Sequence, residues 1–413
     1  MPDFGNLGQV LVCQTEFRGL FQQAQVAKDT FLRHTPQVTT SPTSPRSPLR
    51  LEIRHRLDSL ANRWDELLEQ QELSSPFLSS WWIDNAAEGT ATLLCCFAGS
   101  EFVGGAAFQL DSVGTGPLRV ERVRCLGQGT LAPDHLDLIA QQVHAAEVRS
   151  VVLSWLKRPG SRVVDLDGLA ATGALGQALR SHEIASIAAP FTRLPADGAE
   201  YLAARPGQVR STISRTRKRF AKEGVHLRRV LVDDMPGALD RLAELHDSRW
   251  SDESAFLDGW DRFRAAALAG ARSGSVVIHE LLSADDEVVA TELDLRSEKR
   301  LAFYQAGRRT EREWRGCGSV LRADILDWAC SEGIEEYDLL RGDEPYKADW
   351  SETQRLLLRC RFGVGPLGRG VVLAAVARQR LTGSAARAQS VLEERLSHAP
   401  WKQHREAHTE QSG

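Results

Sequence analysis

The pattern of apolar and polar positions predicts the same series of elements twice along the chain. Apolar residues recur at helical spacing in residues 56–70, "RLDSLANRWDELLEQ", and again in residues 238–250, "ALDRLAELHDSRW". Two strand-like apolar runs follow each of these helices. The runs occupy residues 91–97, 102–110, 275–282 and 288–295.

A short motif marks the repeat. "SPFLSSW" (75–81) and "SAFLDGW" (254–260) share Ser, Phe, Leu and Trp at the same spacing. Each series then continues with a third strand-like run, a loop, an amphipathic helix and a closing strand. In the first series we interpret residues 134–147 as the helix and residues 148–156 as the closing strand. An offset of roughly 180 residues indicates two duplicated domains and not a solenoid.

The predicted fold class is α/β (α+β), with two tandem domains that each form a mixed, mostly antiparallel sheet flanked by helices. Three consecutive strands with short connections favour an antiparallel meander, and the later strand–helix–strand passage favours one parallel pair. The predicted segments are a disordered tail and Pro/Ser/Thr-rich linker (1–50), an N-terminal domain (51–195), a basic linker helix (196–224), a C-terminal domain (225–365), and C-terminal helices with a polar tail (366–413).

The composition is that of a globular protein. A net charge of −4 and a pI near 6.3 disfavour a dedicated nucleic-acid binder. The seven cysteines are odd in number and form no C-x-x-C pair, which predicts reduced thiols, a cytoplasmic location and no zinc or disulfide framework. No apolar run reaches the length of about 18 residues that spans a bilayer, and the N-terminus does not resemble a signal peptide.

A glycine-containing loop opens the amphipathic helix of the second copy. Glycines before a helix N-terminus let backbone N–H groups approach an anion, and the helix dipole adds about half a positive charge there. The alternative is an ordinary loop in which Ser319 caps the helix. The predicted anion site consists of Arg315, Gly316, Cys317, Gly318 and Ser319.

The corresponding stretch of the first copy is "GQGTLAPDHLD" (127–137). Asp134 and Asp137 in this stretch would repel a phosphate. We therefore expect the second copy, and not the first, to bind an acyl carrier.

The segment "YDLLRGDEPYKADW" (337–350) begins like a buried strand and ends in charged and aromatic side chains. If a site lies at the strand end, Asp343 or Glu344 is a general base, Tyr346 protonates a leaving group and Lys347 polarises a carbonyl. In the structural alternative, Asp343 caps a short helix that begins at Pro345. Tyr346 and Trp350, four residues apart, would then share the packed face of that helix.

Other side chains of the second copy are candidates for the same site. Glu292 and Asp294 alternate with leucines on a strand and are candidates to bind an amine, unless that face of the strand is exposed to solvent. Tyr304, on the strand before the glycine loop, is a second candidate phenol. His246 and His279 have no partners at metal-ligand spacing, so no metal site is predicted.

Residues of about 205–362 resemble the GNAT superfamily of acyltransferases. In that superfamily the pyrophosphate of acyl-CoA lies on an (Arg/Gln)-x-x-Gly-x-(Gly/Ala) loop. Gly316 and Gly318 match this pattern, whereas Glu313 stands at the leading position. A tandem branch associated with cellulose and exopolysaccharide synthesis, the CelD-like acetyltransferases, is a closer match and is similar to the Fem-type aminoacyl transferases. Its hallmark DLLRGxExYKxxW fits residues 338–350, and "LHDSRW" (245–250) and "FYQAG" (303–307) also resemble it.

The resemblance implies an N-acyltransferase that uses acetyl-CoA or another acyl-CoA as co-substrate. The expected acceptor is a small amine, amino sugar or sugar nucleotide in polysaccharide synthesis, acylated directly with general-base assistance. It also implies that Gln305, Arg341 and Trp350 bind substrate beside Glu292 and Asp294, unless Arg341 pairs with an internal carboxylate instead.

Two alternatives stay open. A Fem-like transferase would take its acyl group from aminoacyl-tRNA, which the basic stretch "RSTISRTRKRF" (210–220) favours; this stretch is otherwise typical of a solvated helix face. The second alternative is a non-catalytic binding or scaffold protein, because the first copy has lost its glycine loop. In the leading interpretation the partner is a small-molecule acceptor, with no membrane span and no nucleic acid.

Overall fold

The computed structural model describes residues 48–250 and 255–378. The predicted N-terminal tail, most of the linker and the polar C-terminal tail lie outside these residues. In the described ranges, no helix is long and apolar enough to cross a membrane.

The first half alternates strands and short helices. Its strands are β1 (Arg50–Arg54), β2 (Thr90–Ala98), β3 (Glu101–Val113), β4 (Val120–Cys125), β5 (Ile139–Ala140), β6 (Arg162–Ala170) and β7 (Glu183–Arg193). Its helices are α1 (Ala61–Glu69), α2 (Ser80–Ile83), α3 (Ala145–Leu156) and α4 (Ala174–Ala178).

The second half begins with helices and repeats the strand order of the first. Its helices are α5 (Gly198–Ala203), α6 (Gly207–Lys222), α7 (Met235–Trp250), α8 (Trp260–Arg272), α9 (Cys317–Ser331) and the described helical residues 365–378. Its strands are β8 (His226–Arg229), β9 (Val276–Leu282), β10 (Val288–Ser297), β11 (Arg300–Arg308), β12 (Glu336–Asp338) and β13 (Thr353–Val364).

The described strands form one mixed sheet in an α/β arrangement. Their order is β1-β2-β3-β4-β6-β13-β7-β12-β11-β10-β9-β8, with β5 paired to β3. The predicted meanders are confirmed, because β2–β3–β4 and β9–β10–β11 pair antiparallel. The predicted parallel pair of the second half is present, as β11 with β12. In the first half β4 pairs parallel with β6 and not with the predicted closing strand 148–156.

The two halves exchange their last strands at the centre of this sheet. Strand β7 closes the first half in sequence but pairs with β12 of the second half. Strand β13 closes the second half in sequence but pairs with β6 of the first half, and it also pairs with β7. The exchange makes one continuous sheet from the duplicated units.

The interpretation of residues 134–156 is wrong. Residues 134–147, predicted as a helix, contain a loop and the short strand β5, while residues 148–156, predicted as a strand, lie in α3. Val148, Val152 and Trp155 are buried at spacings of four and three, which is the period of a helix face. The strand that matches β12 is therefore β6, and the β-branched residues of α3 follow the helical period despite their strand propensity.

The two copies of the repeated motif meet around Tyr304 of β11. Phe77 of the first copy lies 5.6 Å from the Tyr304 ring between centroids, and Phe256 of the second lies 6.0 Å from it. Phe263 of α8 contributes a further ring at 5.1 Å. This aromatic cluster joins the two halves directly behind the cavity described next.

Candidate active site

A cavity of about 730 Å³ opens where β11 and β12 separate. The two strands pair only from Arg300–Ala302 to Glu336–Asp338. Beyond this point β11 continues to Arg308, whereas the chain after β12 turns away. The resulting V-shaped opening is bordered by the glycine loop at one side and by residues of 339–350 at the other.

A bulge in β11 faces this opening. Leu293 and Asp294 of β10 are opposite Gln305 and Phe303, so Tyr304 is the extra residue on β11. A bulge leaves its extra residue outside the regular ladder. The strand is thereby bent next to the cavity, and Phe303, Tyr304 and Gln305 all contribute to the lining.

The glycine loop forms one border of the cavity. Gly316 adopts a left-handed conformation with φ of +90° and precedes α9, and a Cβ atom there would lie 3.0 Å from the Thr216 hydroxyl oxygen. Arg315, Gly316, Gly318 and Ser319 line the cavity. Cys317 is buried, with its Sγ atom 4.0 Å from the Val289 carbonyl oxygen, so its thiol faces the core. The four lining residues of the loop lie at the N-terminus of α9, where backbone N–H groups favour an anion.

The turn after β12 is held by Lys347. Leu340 has a positive φ of +55°, and Lys347 Nζ donates to the Leu340 and Arg341 carbonyl oxygens at 3.4 and 2.5 Å. The same ammonium lies 2.9 Å from the Glu344 carboxylate. Lys347 is only 4% exposed. The structure therefore assigns Lys347 to stabilising the turn, and the expectation that it polarises a substrate carbonyl is not supported, because its donors face protein acceptors.

The other charged-segment residues separate into two groups. Glu344, Tyr346, Asp349 and Trp350 line the cavity. Asp343 is exposed and lies outside the lining, so its expected role as the base is not supported. Tyr346 is 40% exposed, and burial of the remainder raises the pKa of its phenol, which keeps the proton at neutral pH.

Two predicted substrate-binding carboxylates are buried and not exposed on a solvent face. Glu292 accepts from Tyr337 at 2.6 Å and from Arg322 at 2.9 Å, and it lines the cavity. Asp294 is fully buried, and burial followed by the nearby Glu292 carboxylate raises its pKa well above the usual range. Asp294 lies outside the lining, so a direct contact with substrate is not supported.

Arg322 is a site residue that the sequence analysis missed. Its guanidinium carbon lies 4.0 Å from the Phe303 ring centroid, 5.5 Å from that of Tyr346 and 5.9 Å from that of Trp350. It therefore combines an ion pair with Glu292 and an aromatic environment. The signal in the sequence is a single arginine within the apolar face of α9.

Tyr304 and Arg341 are occupied by contacts between the halves. The Tyr304 hydroxyl donates to the Leu131 carbonyl at 2.8 Å, and burial raises its pKa far above the usual range. Arg341 donates to Asp134 at 2.5 Å and to Asp167 at 3.1 Å. Tyr304 is not positioned as a free catalytic phenol. Arg341 pairs with internal carboxylates, the alternative to a free substrate contact. Both residues border the cavity.

The first half supplies lining residues that the sequence analysis did not assign to this site. These are Thr130, Leu131, Ala132 and Asp134. They belong to the stretch 127–137, which was interpreted as a lost phosphate loop. Among the described residues, no group of three or more His, Cys, Asp or Glu side chains could hold a metal ion.

Residues 207–348 match the family described as "Acetyltransferase (GNAT) domain". The second half carries a GNAT-type acyltransferase domain. Its boundaries include the glycine loop, β9 to β12 and most of the charged segment. No curated protein matches the sequence significantly.

Solved structures are similar in fold to both halves of the chain, and not only to the GNAT-type domain. The chain is similar to the crystal structure of FemX, with a TM-score of 0.54 and 10% identity over 79% of this chain and 99% of that chain. It is also similar to a conserved protein of unknown function from Bacteroides thetaiotaomicron VPI-5482, with a TM-score of 0.52 and 10% identity over 75% of this chain and 99% of that chain. At these identities the likeness concerns the fold alone.

Proposed function

We propose that the chain is an acyl-CoA-dependent N-acyltransferase that acts on a small amine-bearing acceptor. The observation that carries the proposal is the cavity between the separated strands β11 and β12, with a glycine loop at one side and Glu344 and Tyr346 at the other. GNAT domains generally use acyl-CoA as the acyl donor, and the left-handed Gly316 packs closely on α6, with the Thr216 hydroxyl 3.0 Å from the place a Cβ would take.

The donor's pyrophosphate is assigned to the N-terminus of α9. Backbone N–H groups and the helix dipole favour an anion at such a terminus. Arg308 and Arg315 both line the cavity and add positive charge near Gly318, where a Cβ atom would lie 3.5 Å from Arg308 Cδ. Glu313 stands where the family carries Arg or Gln, so one possible contact with the pyrophosphate is absent.

Acyl transfer to an amine needs a base and an acid. A lysine-like amine with a pKa of about 10.4 is less than roughly 0.1% neutral at pH 7, so a base must accept its proton. We assign this role to Glu344, because its carboxylate lines the cavity and is 54% exposed, which lets the proton leave to solvent. Both oxygens of Glu292 already accept from Arg322 or Tyr337. Tyr346, protonated at neutral pH, is assigned to protonate the departing CoA thiolate.

Isothermal titration with acetyl-CoA and a desulfo analogue tests the donor assignment. Binding with a micromolar to millimolar dissociation constant, and release of free CoA when a primary amine is added, is the expected result. Absence of binding at millimolar acetyl-CoA would overturn the proposed function.

The substitution Gly316→Ala is expected to weaken acetyl-CoA binding about tenfold, which is about 1.4 kcal/mol. The added Cβ atom would approach Thr216 and would occupy a backbone conformation that L-residues disfavour by about 1–2 kcal/mol. Gly274→Ala is the matched control, because Gly274 is also left-handed (φ +74°), lies outside the cavity and has no neighbouring atom within 4 Å of the place its new Cβ would take. If the two variants bind acetyl-CoA with equal affinity, the glycine loop is not part of the donor site.

An aminoacyl-tRNA donor is the second candidate, and the position of α6 favours it. Arg219 of this basic helix donates to the Arg315 carbonyl at 3.0 Å, so the helix lies beside the glycine loop. Its exposed cations include Arg210, Arg215, Lys218 and Lys222. Affinity for tRNA that falls steeply with salt, together with displacement of tRNA by acetyl-CoA, would support this candidate. Membership of the CelD-like branch and a role in polysaccharide synthesis stay predictions.

A further inference from the structure

The stretch of residues 127–137 in the first half forms a wall of the cavity in the second half. Thr130, Leu131, Ala132 and Asp134 of this stretch all line the cavity. Leu131 and Asp134 are buried, whereas Thr130 and Ala132 are partly exposed. The two partly exposed residues are therefore the ones that a bound molecule can contact.

Contacts from the second half fix this wall on three sides. Arg262 of α8 donates to the Thr130 hydroxyl at 2.9 Å, and Tyr304 of β11 donates to the Leu131 carbonyl at 2.8 Å. Arg341 donates to the Asp134 carboxylate from its backbone N–H at 2.7 Å and from Nε at 2.5 Å. A Cβ atom on Gly259 would lie 2.5 Å from the Thr130 hydroxyl, so the α8 N-terminus packs directly on the wall.

Strand β11 shows at which end of the cavity the wall lies. Tyr304 contacts the wall, and Arg308 lies nearest to Gly318 of the glycine loop. These two positions are four residues apart in the sequence, which is about 13 Å along the strand. The wall thus lies away from the donor's pyrophosphate site, toward the end where the chain after β12 carries Glu344.

We propose that this wall selects the acyl acceptor, and that the first half is retained as the specificity element of the second half's site. This inference rests on the proposed function. The partly exposed residues of the wall are Ala132 and Thr130, and the Thr130 hydroxyl already accepts from Arg262. Leu339 and Leu340 also line the cavity. Together with the Glu344 carboxylate, these groups fit a primary amine carried on an alkyl segment better than a polyhydroxylated amino sugar.

Ala132 offers a direct test because its backbone is left-handed, with φ of +41°. Asn tolerates this conformation and adds bulk on the cavity side, whereas Gly tolerates it and removes bulk. Asp286 is the matched control, since it is also left-handed (φ 60°) and lies in the turn between β9 and β10, outside the cavity lining.

The experiment measures acetylation of 1,5-diaminopentane and of glucosamine by free-CoA release, with acetyl-CoA affinity measured by titration. Ala132→Asn is expected to lower kcat/KM for 1,5-diaminopentane at least tenfold while the acetyl-CoA Kd changes less than twofold. Ala132→Gly is expected to raise kcat/KM for glucosamine relative to the diamine, and Asp286→Asn is expected to change neither.

The outcomes separate this inference from the proposed function. Equal kcat/KM for the diamine in Ala132→Asn and Asp286→Asn would overturn acceptor selection by the wall while leaving the proposed function intact. A wild-type preference for glucosamine would overturn the alkyl-amine class. Failure of the wild type to acetylate any amine would overturn the proposed function, and with it this inference.

Discussion

Replacing Glu344 with glutamine is expected to lower kcat for acyl transfer by about 10²–10⁴-fold, the usual contribution of a positioned general base. The glutamine amide has nearly the same shape and its oxygen can still accept from Lys347, which lies 2.9 Å from the native carboxylate. The turn after β12 should therefore persist while the proton acceptor is lost. Free-CoA release under saturating acetyl-CoA and amine measures kcat, and titration should show an unchanged acetyl-CoA Kd.

Asp343→Asn is the matched control for this prediction. It neutralises the adjacent carboxylate, which is exposed and lies outside the cavity lining, so kcat should stay within about twofold of the wild type. If Asp343→Asn lowers kcat as much as Glu344→Gln, the effect comes from the net charge of the turn and not from a base. If Glu344→Gln is fully active and Glu292→Gln is not, the base is Glu292.

Local patterns in the sequence were sufficient to predict the meander of each half, but not β6, β7 or β13. The duplicated motif, the meanders and the parallel pair of β11 with β12 depend on apolar period and connection length, which are readable over about ten residues. The error in residues 148–156 arose because β-branched propensity was given more weight than period. Val148, Val152 and Trp155 follow the helical period, and tertiary burial of that face determined the outcome.

The exchange of β7 and β13 could not be predicted in the same way. Each strand has an apolar pattern that is compatible with pairing in its own half. The choice of partner depends on the global sheet, in which β13 lies between β6 and β7. Sequence period specifies which face of a strand is buried but not which neighbour it pairs with.

The sequence was sufficient to predict where the candidate site lies, but only partly what each of its residues contacts. The glycine loop, Glu344 and Tyr346 line one cavity, as a site at the strand end requires. Lys347 differs because its ammonium is directed at two backbone carbonyls of the turn. A charged residue in a motif can stabilise the loop that carries the site, and sequence alone does not distinguish this from contact with substrate.

The partners of Arg341 could not be predicted from the sequence either, because they lie far from it along the chain. Asp134 accepts hydrogen bonds from the backbone N–H and from the side chain of Arg341, and it lies 207 residues earlier in the chain. His135 follows Asp134 and makes the reciprocal contact, with Nε2 2.8 Å from the Asp338 carboxylate of β12. These two crossed pairs join the halves at the cavity, and no local pattern in either segment indicates the other.

The substitution Arg341→Ala is expected to destabilise the protein by about 3–5 kcal/mol, because it leaves Asp134 buried without its cation. Asp134 is fully buried, and burial already raises the pKa of its carboxyl above the usual value of 3.8. A carboxyl with a raised pKa in the folded state is destabilising above its unfolded pKa. The stability difference between variant and wild type should therefore be largest at neutral pH and should shrink as the pH falls toward about 4. Urea unfolding at several pH values measures it.

A second substitution and a surface control make the Arg341 result specific. Adding Asp134→Asn to Arg341→Ala removes the unpaired charge, so the double variant should be more stable than Arg341→Ala alone at pH 7 and should lose the pH dependence. Arg264→Ala breaks the exposed pair with Asp240, 3.1 Å apart, and such surface pairs contribute only about 0–1 kcal/mol. If Arg341→Ala is no more destabilising than Arg264→Ala, the crossed pairs do not hold the halves together, and the cavity wall must be fixed by Tyr304 and Arg262 alone.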